Sequence, residues 1–487
     1  MQEFHVQKFH VSTLGCKINQ YESEAVAEAW RAGGLVECDA PEQAQVLLVN
    51  SCAVTNRAVS DLRATVRRLR KGNPAARIVV TGCAAQVLRE ELSAMPEVDV
   101  VVPQDRKPEL LAGPLLTGSF MANSLINLRP APSLAPSPTP DAGAQPFPPF
   151  ELRRFRRARA VVKVQDGCSH RCTYCIVPLT RGPSVSRAPE EAIAEMRRLF
   201  EAGYRELVVS GVNLRQYGRD LSAPLDFWDL LARVQAELGP EWGGRARLRL
   251  SSVEPGQLDA KALDVLGAST LVAPHLHLSL QSGDPEVLRR MGRGHYRPAQ
   301  VLDFLAGLSG IWPRLGLGAD ILTGFPGETE AQFENTCAFC RELPLTYAHV
   351  FPYSPRPGTP AAGLKDSLLK AERTARAAKL RGIAEAKKRA FAKTLAAQPL
   401  LTVLLEKAEG DKAANTGEGV GVCEYYASCL VRASSQVRAT RAGGDPLAPV
   451  RLVAMRPVGV VGGKVVGEVV DDFGGDFGDD ILCGDGA

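Results

Sequence analysis

Three cysteines are clustered in the stretch VQDGCSHRCTYCIVP, residues 164–178. Cys168, Cys172 and Cys175 follow a C-x3-C-x2-C spacing, and no fourth cysteine lies beside them. Zinc and iron–sulfur sites usually take four protein ligands, so this spacing indicates a site with one position left open. A four-iron cluster on three thiolates leaves one iron free for the amino and carboxylate groups of an outside ligand. S-adenosylmethionine carries both groups, and its sulfonium can then be cleaved by one-electron reduction.

A structural zinc site is the other interpretation of this loop. Zinc prefers a complete tetrahedral set of ligands, and three neighbouring cysteines do not supply it. The chain has twelve cysteines, and it shows neither an uncharged apolar run of about 18 residues nor a signal-peptide core. We therefore expect a soluble, cytoplasmic protein with no membrane partner, whose clustered thiols bind metal rather than form disulfides.

Three further cysteines each end a short β-rich run, in KFHVSTLGC, AQVLLVNSC and ARIVVTGC. Each run is followed by a helix-compatible stretch, and strands that alternate with helices predict a parallel sheet. The carboxyl ends of parallel strands meet at one edge, which is the usual place for ligands. We therefore expect Cys16, Cys52 and Cys83 to lie together, although buried cysteines are also common core residues.

The chain divides into five segments, and the predicted fold class is α/β. Residues 1–118 predict a parallel α/β domain, and residues 159–394 predict a partial βα barrel with six strand–helix units. Residues 395–470 have the β-rich pattern of a small barrel of the OB-like or a related kind. Prolines mark residues 119–158 as an extended linker, and the acidic, glycine-rich residues 471–487 predict a disordered tail.

Motifs along almost the whole chain resemble the methylthiotransferase family of radical SAM enzymes. These motifs are STLGCKINQYESE, VNSCAVTNRAVSDLR, VTGCAAQ, QDGCSHRCTYCIVPLTRG, SLQSG, MGRGHY and DILTGFPGETE. The segment LGCKINQYESE is most similar to the MtaB branch, which acts on N6-threonylcarbamoyladenosine in tRNA. The resemblance also implies that the small carboxy-terminal barrel is similar to the RNA-binding TRAM domain of this family.

The resemblance implies two [4Fe–4S] clusters and the use of two molecules of S-adenosylmethionine. One molecule methylates a sulfur held at the cluster of Cys16, Cys52 and Cys83, and the other yields a 5′-deoxyadenosyl radical at the Cys168 cluster. That radical removes the hydrogen from carbon 2 of adenosine 37, which then receives the methylthio group. The implied partners are tRNA, a sulfur donor and a reductant such as a flavodoxin or ferredoxin.

Five residues are predicted to contact S-adenosylmethionine. Tyr174 is the aromatic residue before the last cysteine of the radical SAM motif, and Gly211 lets the backbone approach the ligand's amino group. Ser279 and Gln281 are expected to reach ribose or carboxylate oxygens, and Arg293 is expected to pair with the carboxylate. The sequence assigns a catalytic role to no residue.

Two other activities are alternatives at this point. A related branch modifies an aspartate of a ribosomal protein, and a non-catalytic iron–sulfur protein would bind RNA or carry electrons without S-adenosylmethionine. Basic residues favour an RNA partner, because five arginines lie between Arg153 and Arg159 and residues 370–393 form a basic helical pattern. Because these arginines precede the strand that enters the Cys168 loop, we expect phosphates bound there to lie near the active site.

Overall fold

The computed structural model describes most of the chain, namely residues 7–114, 147–365, 368–408, 418–432 and 451–472. Residues 119–146 of the predicted linker, and the predicted tail from residue 473 onward, lie outside the described residues. The described residues form an amino-terminal parallel sheet with helices, a partial barrel of βα units and a small closed β-barrel. The α/β fold class predicted from the sequence is confirmed.

Five parallel strands form the amino-terminal sheet, in the order β2-β1-β3-β4-β5. Strand β3 is buried along its whole length, as its apolar run VLLV predicts for a strand covered on both faces. The sheet therefore places the ends of β1, β3 and β4 side by side. The strands are β1 (Lys8–Thr13), β2 (Val36–Glu37), β3 (Val46–Ser51), β4 (Arg77–Gly82) and β5 (Val100–Pro103), and the helices are α1 (Lys17–Ala32), α2 (Asn56–Gly72), α3 (Cys83–Val87) and α4 (Arg89–Ser93).

Six strand regions form the partial barrel, which confirms the six regions predicted from the sequence. Together with one additional short strand, β7, which pairs antiparallel to its neighbour, they lie in two four-stranded sheets with parallel pairing, β7-β6-β8-β9 and β10-β11-β12-β13. The third region is divided into the two short strands β9 and β10. The strands are β6 (Arg159–Asp166), β7 (Val185–Ser186), β8 (Glu206–Gly211), β9 (Arg247–Leu250), β10 (Ser252–Val253), β11 (His275–Gln281), β12 (Gly316–Thr323) and β13 (Tyr347–Pro352).

Helices between these strands cover the outside of the barrel. In α6, the buried residues Ala192, Met196 and Leu199 recur at helical spacing and face the sheet, and a proline occupies the first helical position. No helix among the described residues is both long and apolar enough to cross a membrane. The helices are α5 (Val177–Arg181), α6 (Pro189–Glu201), α7 (Phe227–Trp242), α8 (Ala260–Ala268), α9 (Pro285–Arg290), α10 (Pro298–Ile311) and α11 (Glu330–Glu342).

A long helix leads from the partial barrel into the predicted small β-barrel, which is confirmed as a closed five-stranded barrel with the order β14-β15-β16-β18-β17. Arg247, the first residue of β9, donates to the carbonyl of Val422 at 2.9 Å, so the small barrel lies against the amino-terminal ends of the partial-barrel strands. The elements are α12 (Lys370–Ala396), β14 (Leu401–Ala408), β15 (Glu418–Cys423), β16 (Ser428–Arg432), β17 (Leu452–Val461) and β18 (Lys464–Asp472).

The described end of the predicted linker is packed rather than extended into solvent. Phe150, Leu152 and Phe155 are buried in the hydrophobic core that the amino-terminal sheet shares with the partial barrel. The Tyr21 hydroxyl of α1 donates to the Phe150 carbonyl at 2.6 Å, and Tyr204 bonds both backbone groups of Phe155. Residues 150–155 therefore join the two α/β units into one core.

The arginine run lies at the opposite edge of the barrel from Cys168. Arg157 precedes the amino-terminal end of β6, whereas Cys168 follows its carboxyl end, and eight residues of strand span roughly 23 Å. The expectation that phosphates bound by this run lie near the Cys168 loop is therefore wrong. Arg156 is also engaged elsewhere, because it forms ion pairs with Glu37 at 2.6 Å and Asp39 at 2.7 Å.

Candidate metal and cofactor site

The Cys168 loop leaves the carboxyl end of β6 through a turn that only glycine fits. Gly167 has a φ of +65°, and a Cβ atom there would lie 1.8 Å from the carbonyl oxygen of Pro183. The backbone N–H of Cys168 donates to the carbonyl of Gly182 at 3.0 Å. At the other end of the loop, Thr173 donates to two backbone carbonyls at the end of α9, at 2.9 and 3.0 Å. The loop is therefore fixed on both sides of the three cysteines.

Hydrogen-bond donors surround the sulfur atoms of this loop. The side-chain amides of Asn213 and Gln216 lie 3.5 and 3.8 Å from the Cys168 sulfur, and Arg293 Nη1 lies 3.9 Å from the Cys172 sulfur. Donors of this kind stabilise negative charge on sulfur, and in iron–sulfur sites they set the reduction potential. The environment is thus suited to thiolates.

Burial raises the pKa of thiols in both trios. Burial raises the pKa of Cys175 to about 12 and that of Cys52 to about 11. Such groups remain protonated at neutral pH until a bound metal displaces the proton. High pKa values of this kind are typical of buried thiols, in contrast to nucleophilic cysteines, whose pKa values are depressed.

The amino-terminal trio is also assembled by the fold. Cys16 follows β1 and caps α1, Cys52 follows β3, and Cys83 follows β4 as the first residue of α3. The loops touch, because a Cβ atom on Gly15 would lie 2.7 Å from the Cys52 Cβ atom. Gly82 has a φ of +97°, and a Cβ there would lie 2.3 Å from the backbone of the neighbouring strand. The two glycines thus let three strand ends approach one another.

The spacing of the sulfur atoms fits a cluster better than a single zinc ion. Among the described residues, no three cysteine sulfurs lie within 4.8 Å of one another. Thiolates 2.3 Å from one tetrahedral zinc would lie about 3.8 Å apart. A cluster of several irons spreads its ligands more widely. The geometry therefore disfavours the zinc interpretation of the Cys168 loop.

A buried ion network joins the two halves of the site. Glu22 of α1 is fully buried and accepts from Lys107 at 2.6 Å, from Lys163 of β6 at 2.9 Å and from Arg181 of α5 at 2.9 Å. Arg181 and Lys163 also pair with Asp166, at 2.8 and 2.6 Å. Although burial alone would raise the pKa of Glu22, the three cations hold it well below its usual value.

The charge of this network fits an anionic group at the amino-terminal trio. Three cations face two carboxylates, which leaves one excess positive charge in the interior. Arg181 and Lys107 lie within electrostatic reach of Cys83. Because an uncompensated buried charge is costly, a [4Fe–4S] core of charge 2+ on three thiolates, with a net charge of about −1, would balance the network.

Arg293 lies at the Cys168 loop but has a protein partner of its own. Its two terminal nitrogens donate to Glu254 at 3.1 and 2.5 Å, and one of them also donates to the Ser279 carbonyl at 2.5 Å. Its Nε is buried and has no hydrogen-bond partner among the residues that the structure describes. Arg293 thus lies beside the Cys172 sulfur while Glu254 holds it, and its pairing with the carboxylate of S-adenosylmethionine remains a prediction.

The other predicted contact residues lie around the same end of the barrel. Gly211 ends β8, where a Cβ atom would come 2.7 Å from Leu214. Gln281 ends β11 with a φ of +65°, which is uncommon for a residue other than glycine. Tyr174 packs on the apolar cluster of Val287 and Phe325, and burial raises its pKa well above the usual value. Their contacts with S-adenosylmethionine stay predictions.

Sequence reasoning missed several residues that shape the site. Asn213 and Gln216 lie in the stretch GVNLRQYG, directly after a predicted strand, and that position is the signal that was available for them. Glu22 and Glu254 gave no such signal, because their partners are distant in sequence.

Comparison with known proteins agrees with this geometry. Residues 8–103 match the family model described as uncharacterized protein family UPF0004, and residues 162–340 match the radical SAM superfamily. The threonylcarbamoyladenosine tRNA methylthiotransferase MtaB of Bacillus subtilis is 37% identical over 363 residues, which cover 74% of this chain and 76% of the relative. MtaB of Aquifex aeolicus is 30% identical over 408 residues, covering 82% and 93%.

Among solved structures, the radical S-adenosylmethionine methyltransferase TsrM of Kitasatospora setae is similar with a TM-score of 0.51. The sequence identity is 15%, and the match covers 73% of this chain and 74% of that one, so it supports the fold alone. The identity to the curated relatives and the extent of the match settle the family. The chain belongs to the MtaB family of threonylcarbamoyladenosine tRNA methylthiotransferases, within the radical SAM superfamily.

Proposed function

We propose that this chain transfers a methylthio group to carbon 2 of N6-threonylcarbamoyladenosine at position 37 of tRNA. Its cofactors are [4Fe–4S] clusters and S-adenosylmethionine, as in its family. In the proposal, each cysteine trio holds one cluster with one iron left open. The ligands of the S-adenosylmethionine-binding cluster are Cys168, Cys172 and Cys175, and those of the auxiliary cluster are Cys16, Cys52 and Cys83.

The observation that carries this proposal is the buried link between the two trios. Glu22 is six residues after Cys16, and Asp166 is two residues before Cys168, yet both bond Arg181. A protein with only one cluster would not require this network of buried charges between its two cysteine trios. The bridge supports an enzyme in which two metal centres act on one substrate.

The residues of the chain have distinct tasks in this proposal. Bound clusters and S-adenosylmethionine supply the radical, sulfur and methyl chemistry. Asn213, Gln216 and Arg293 donate hydrogen bonds to cluster thiolates, and Glu254 holds Arg293 in place. The shared core around Phe150 keeps the two α/β units from moving apart.

The reaction also defines the partners. Methylthiolation consumes sulfur and electrons, so the chain requires a sulfur donor and a reductant such as a flavodoxin or ferredoxin. The substrate is tRNA, as the names of its curated relatives imply.

The decisive experiment offers both macromolecular substrates to the reconstituted protein. Cluster-loaded protein is incubated without oxygen with S-adenosylmethionine, a strong reductant, and either tRNA rich in N6-threonylcarbamoyladenosine or ribosomes. Mass spectrometry of nucleosides should find the 2-methylthio derivative in tRNA, and tRNA from cells without the gene should lack it. Modification of a ribosomal protein with unmodified tRNA would overturn the proposal, and so would the absence of S-adenosylmethionine cleavage.

A further inference from the structure

Two histidines and an aspartate converge on three neighbouring strands of the partial barrel. His277 lies on β11, Asp320 on β12 and His349 on β13, and Asp320 pairs directly with His349 in the strand register. Asp320 Oδ1 lies 3.0 Å from His277 Nε2 and 3.2 Å from His349 Nδ1. One ligand atom from each residue lies within 4.8 Å of the other two.

This arrangement has the chemistry of a mononuclear metal site. Two imidazole nitrogens and one carboxylate oxygen form the donor set of open zinc and non-haem iron sites, which leave other positions free. The cysteine trios, by contrast, supply only sulfur and do not bring three sulfurs within this distance. The two kinds of site share no residue.

Neighbouring side chains hold the three residues in orientation. The second nitrogen of His277, Nδ1, lies 2.9 Å from the Tyr347 hydroxyl, which also lies 2.9 Å from His275. Ser252 Oγ lies 3.4 Å from the other carboxylate oxygen of Asp320. A hydroxyl can donate or accept, so Tyr347 satisfies either tautomer of His277, as an outer partner of a metal-bound histidine must.

The access route also suits a cation. The side chain of His277 is 9% exposed, whereas that of His349 is 57% exposed. The site is thus anchored on one side and open to incoming ions on the other.

We propose that His277, Asp320 and His349 bind one divalent transition-metal ion, with Zn²⁺ as the preferred occupant. Zinc binds nitrogen and oxygen ligands more tightly than iron(II) or manganese(II) does. Both imidazoles face the same carboxylate oxygen of Asp320, Oδ1. This proposal does not rest on the methylthiotransferase activity, since it concerns a separate ion and separate ligands.

The test is zinc binding to the cluster-loaded full chain. Protein is dialysed against Zn²⁺ without oxygen, and bound zinc is counted by mass spectrometry while its ligands are identified by X-ray absorption. We expect one zinc per chain with nitrogen and oxygen ligands at about 2.0–2.2 Å. Zinc that had replaced iron at a cysteine trio would instead show sulfur at about 2.3 Å.

Three variants and a control make the result specific. His349→Gln and Asp320→Asn should abolish the stoichiometric zinc, and Tyr347→Phe should weaken its affinity about 10–100-fold. His10→Gln, a histidine change in the amino-terminal sheet, should retain it, and unchanged iron content shows that each variant is folded. The proposal is overturned if the wild type takes up no zinc, if only sulfur ligands are seen, or if His349→Gln binds as much zinc as the wild type.

Discussion

Arg181 donates a hydrogen bond of 2.9 Å to Glu22, joining the helix after the Cys168 loop to the helix that Cys16 caps. The same nitrogen lies 2.8 Å from Asp166, so one guanidinium contacts carboxylates of both α/β units. All three groups are nearly or fully buried. Because water does not screen these charges, the contact constrains how the two cysteine trios are oriented towards each other.

Replacing Glu22 with Gln should destabilise the chain strongly. The change leaves three buried cations with Asp166 as their only carboxylate in the network, and loss of one member of a buried ion pair typically costs about 3–5 kcal/mol. Denaturant unfolding of the cluster-loaded protein measures the effect. Glu342→Gln, on an exposed residue of α11, should change the free energy of unfolding by less than about 0.5 kcal/mol. Equal effects of the two changes would contradict the structural role given to Glu22.

Replacing Cys168, Cys172 and Cys175 together with Ala should remove about half of the iron, because two clusters of four irons contribute equally. Cleavage of S-adenosylmethionine should be lost completely, since this trio is proposed to hold the cluster that binds it. Iron analysis and detection of 5′-deoxyadenosine measure both outcomes. Cys337→Ala, a buried cysteine of α11, serves as the control and should keep all its iron. Full iron content in the triple variant would refute the assignment.

Replacing Cys16, Cys52 and Cys83 with Ala should separate the two halves of the reaction. The radical-cluster loop is fixed by its own bonds to Gly182 and to the end of α9, so cleavage of S-adenosylmethionine should persist. Methylthiolated nucleoside should disappear. Cys38→Ala, directly after β2 of the same sheet, should keep both activities. Loss of cleavage in a folded triple variant with normal radical-cluster spectra would show that the trios do not act separately.

The strands and the cysteine positions were predictable from local patterns. Apolar runs such as VLLV in β3, together with the alternation of strands with helices, predicted the α/β fold class. Because the carboxyl ends of parallel strands meet at one edge of the sheet, Cys16, Cys52 and Cys83 were expected there. These features depend on a few consecutive residues. They can therefore be predicted from a single sequence.

The charged interior was not predictable in the same way. Lys107 and Arg249 belong to residue types that are usually exposed, and only their distant partners, among them Glu22 and Glu206, explain their burial. The convergence of His277 with His349 also depends on the register of three strands. Pairing over such distances is decided by tertiary packing, which no local pattern reports.

Glu24 should make stability depend on pH. Burial, with a contribution from Glu37, raises the pKa of Glu24 to about 7, well above the unfolded value of about 4.3. The folded chain holds this proton more tightly, so the stabilisation is complete below the unfolded pKa and is lost as pH rises through about 7. Glu24→Gln should match the wild type at about pH 4 and be more stable by on the order of 3 kcal/mol at pH 8.5, since about 2.7 pKa units separate the folded and unfolded values. Urea unfolding at both pH values tests this, and a difference that does not change with pH would contradict it.

The arginine run should contribute to tRNA binding through only three of its members. Arg156 pairs with Glu37, and Arg159 pairs with Glu406 at 2.7 Å, whereas Arg153, Arg154 and Arg157 are exposed. Phosphate contacts position a nucleic acid without reading its sequence, and each contact adds about one unit to the salt dependence of binding.

Changing Arg153, Arg154 and Arg157 to Gln should therefore weaken tRNA binding and flatten the plot of log affinity against log salt by up to about three units. Arg156→Gln is the matched control and should leave the slope unchanged, because its charge is already paired. Cleavage of S-adenosylmethionine without tRNA should be the same in all variants, since the run lies roughly 23 Å of strand away from Cys168.

Fluorescence anisotropy with labelled tRNA over a salt series measures the slopes. Identical slopes in the triple variant and the wild type would mean that these arginines only keep the segment before β6 exposed to solvent and do not bind RNA.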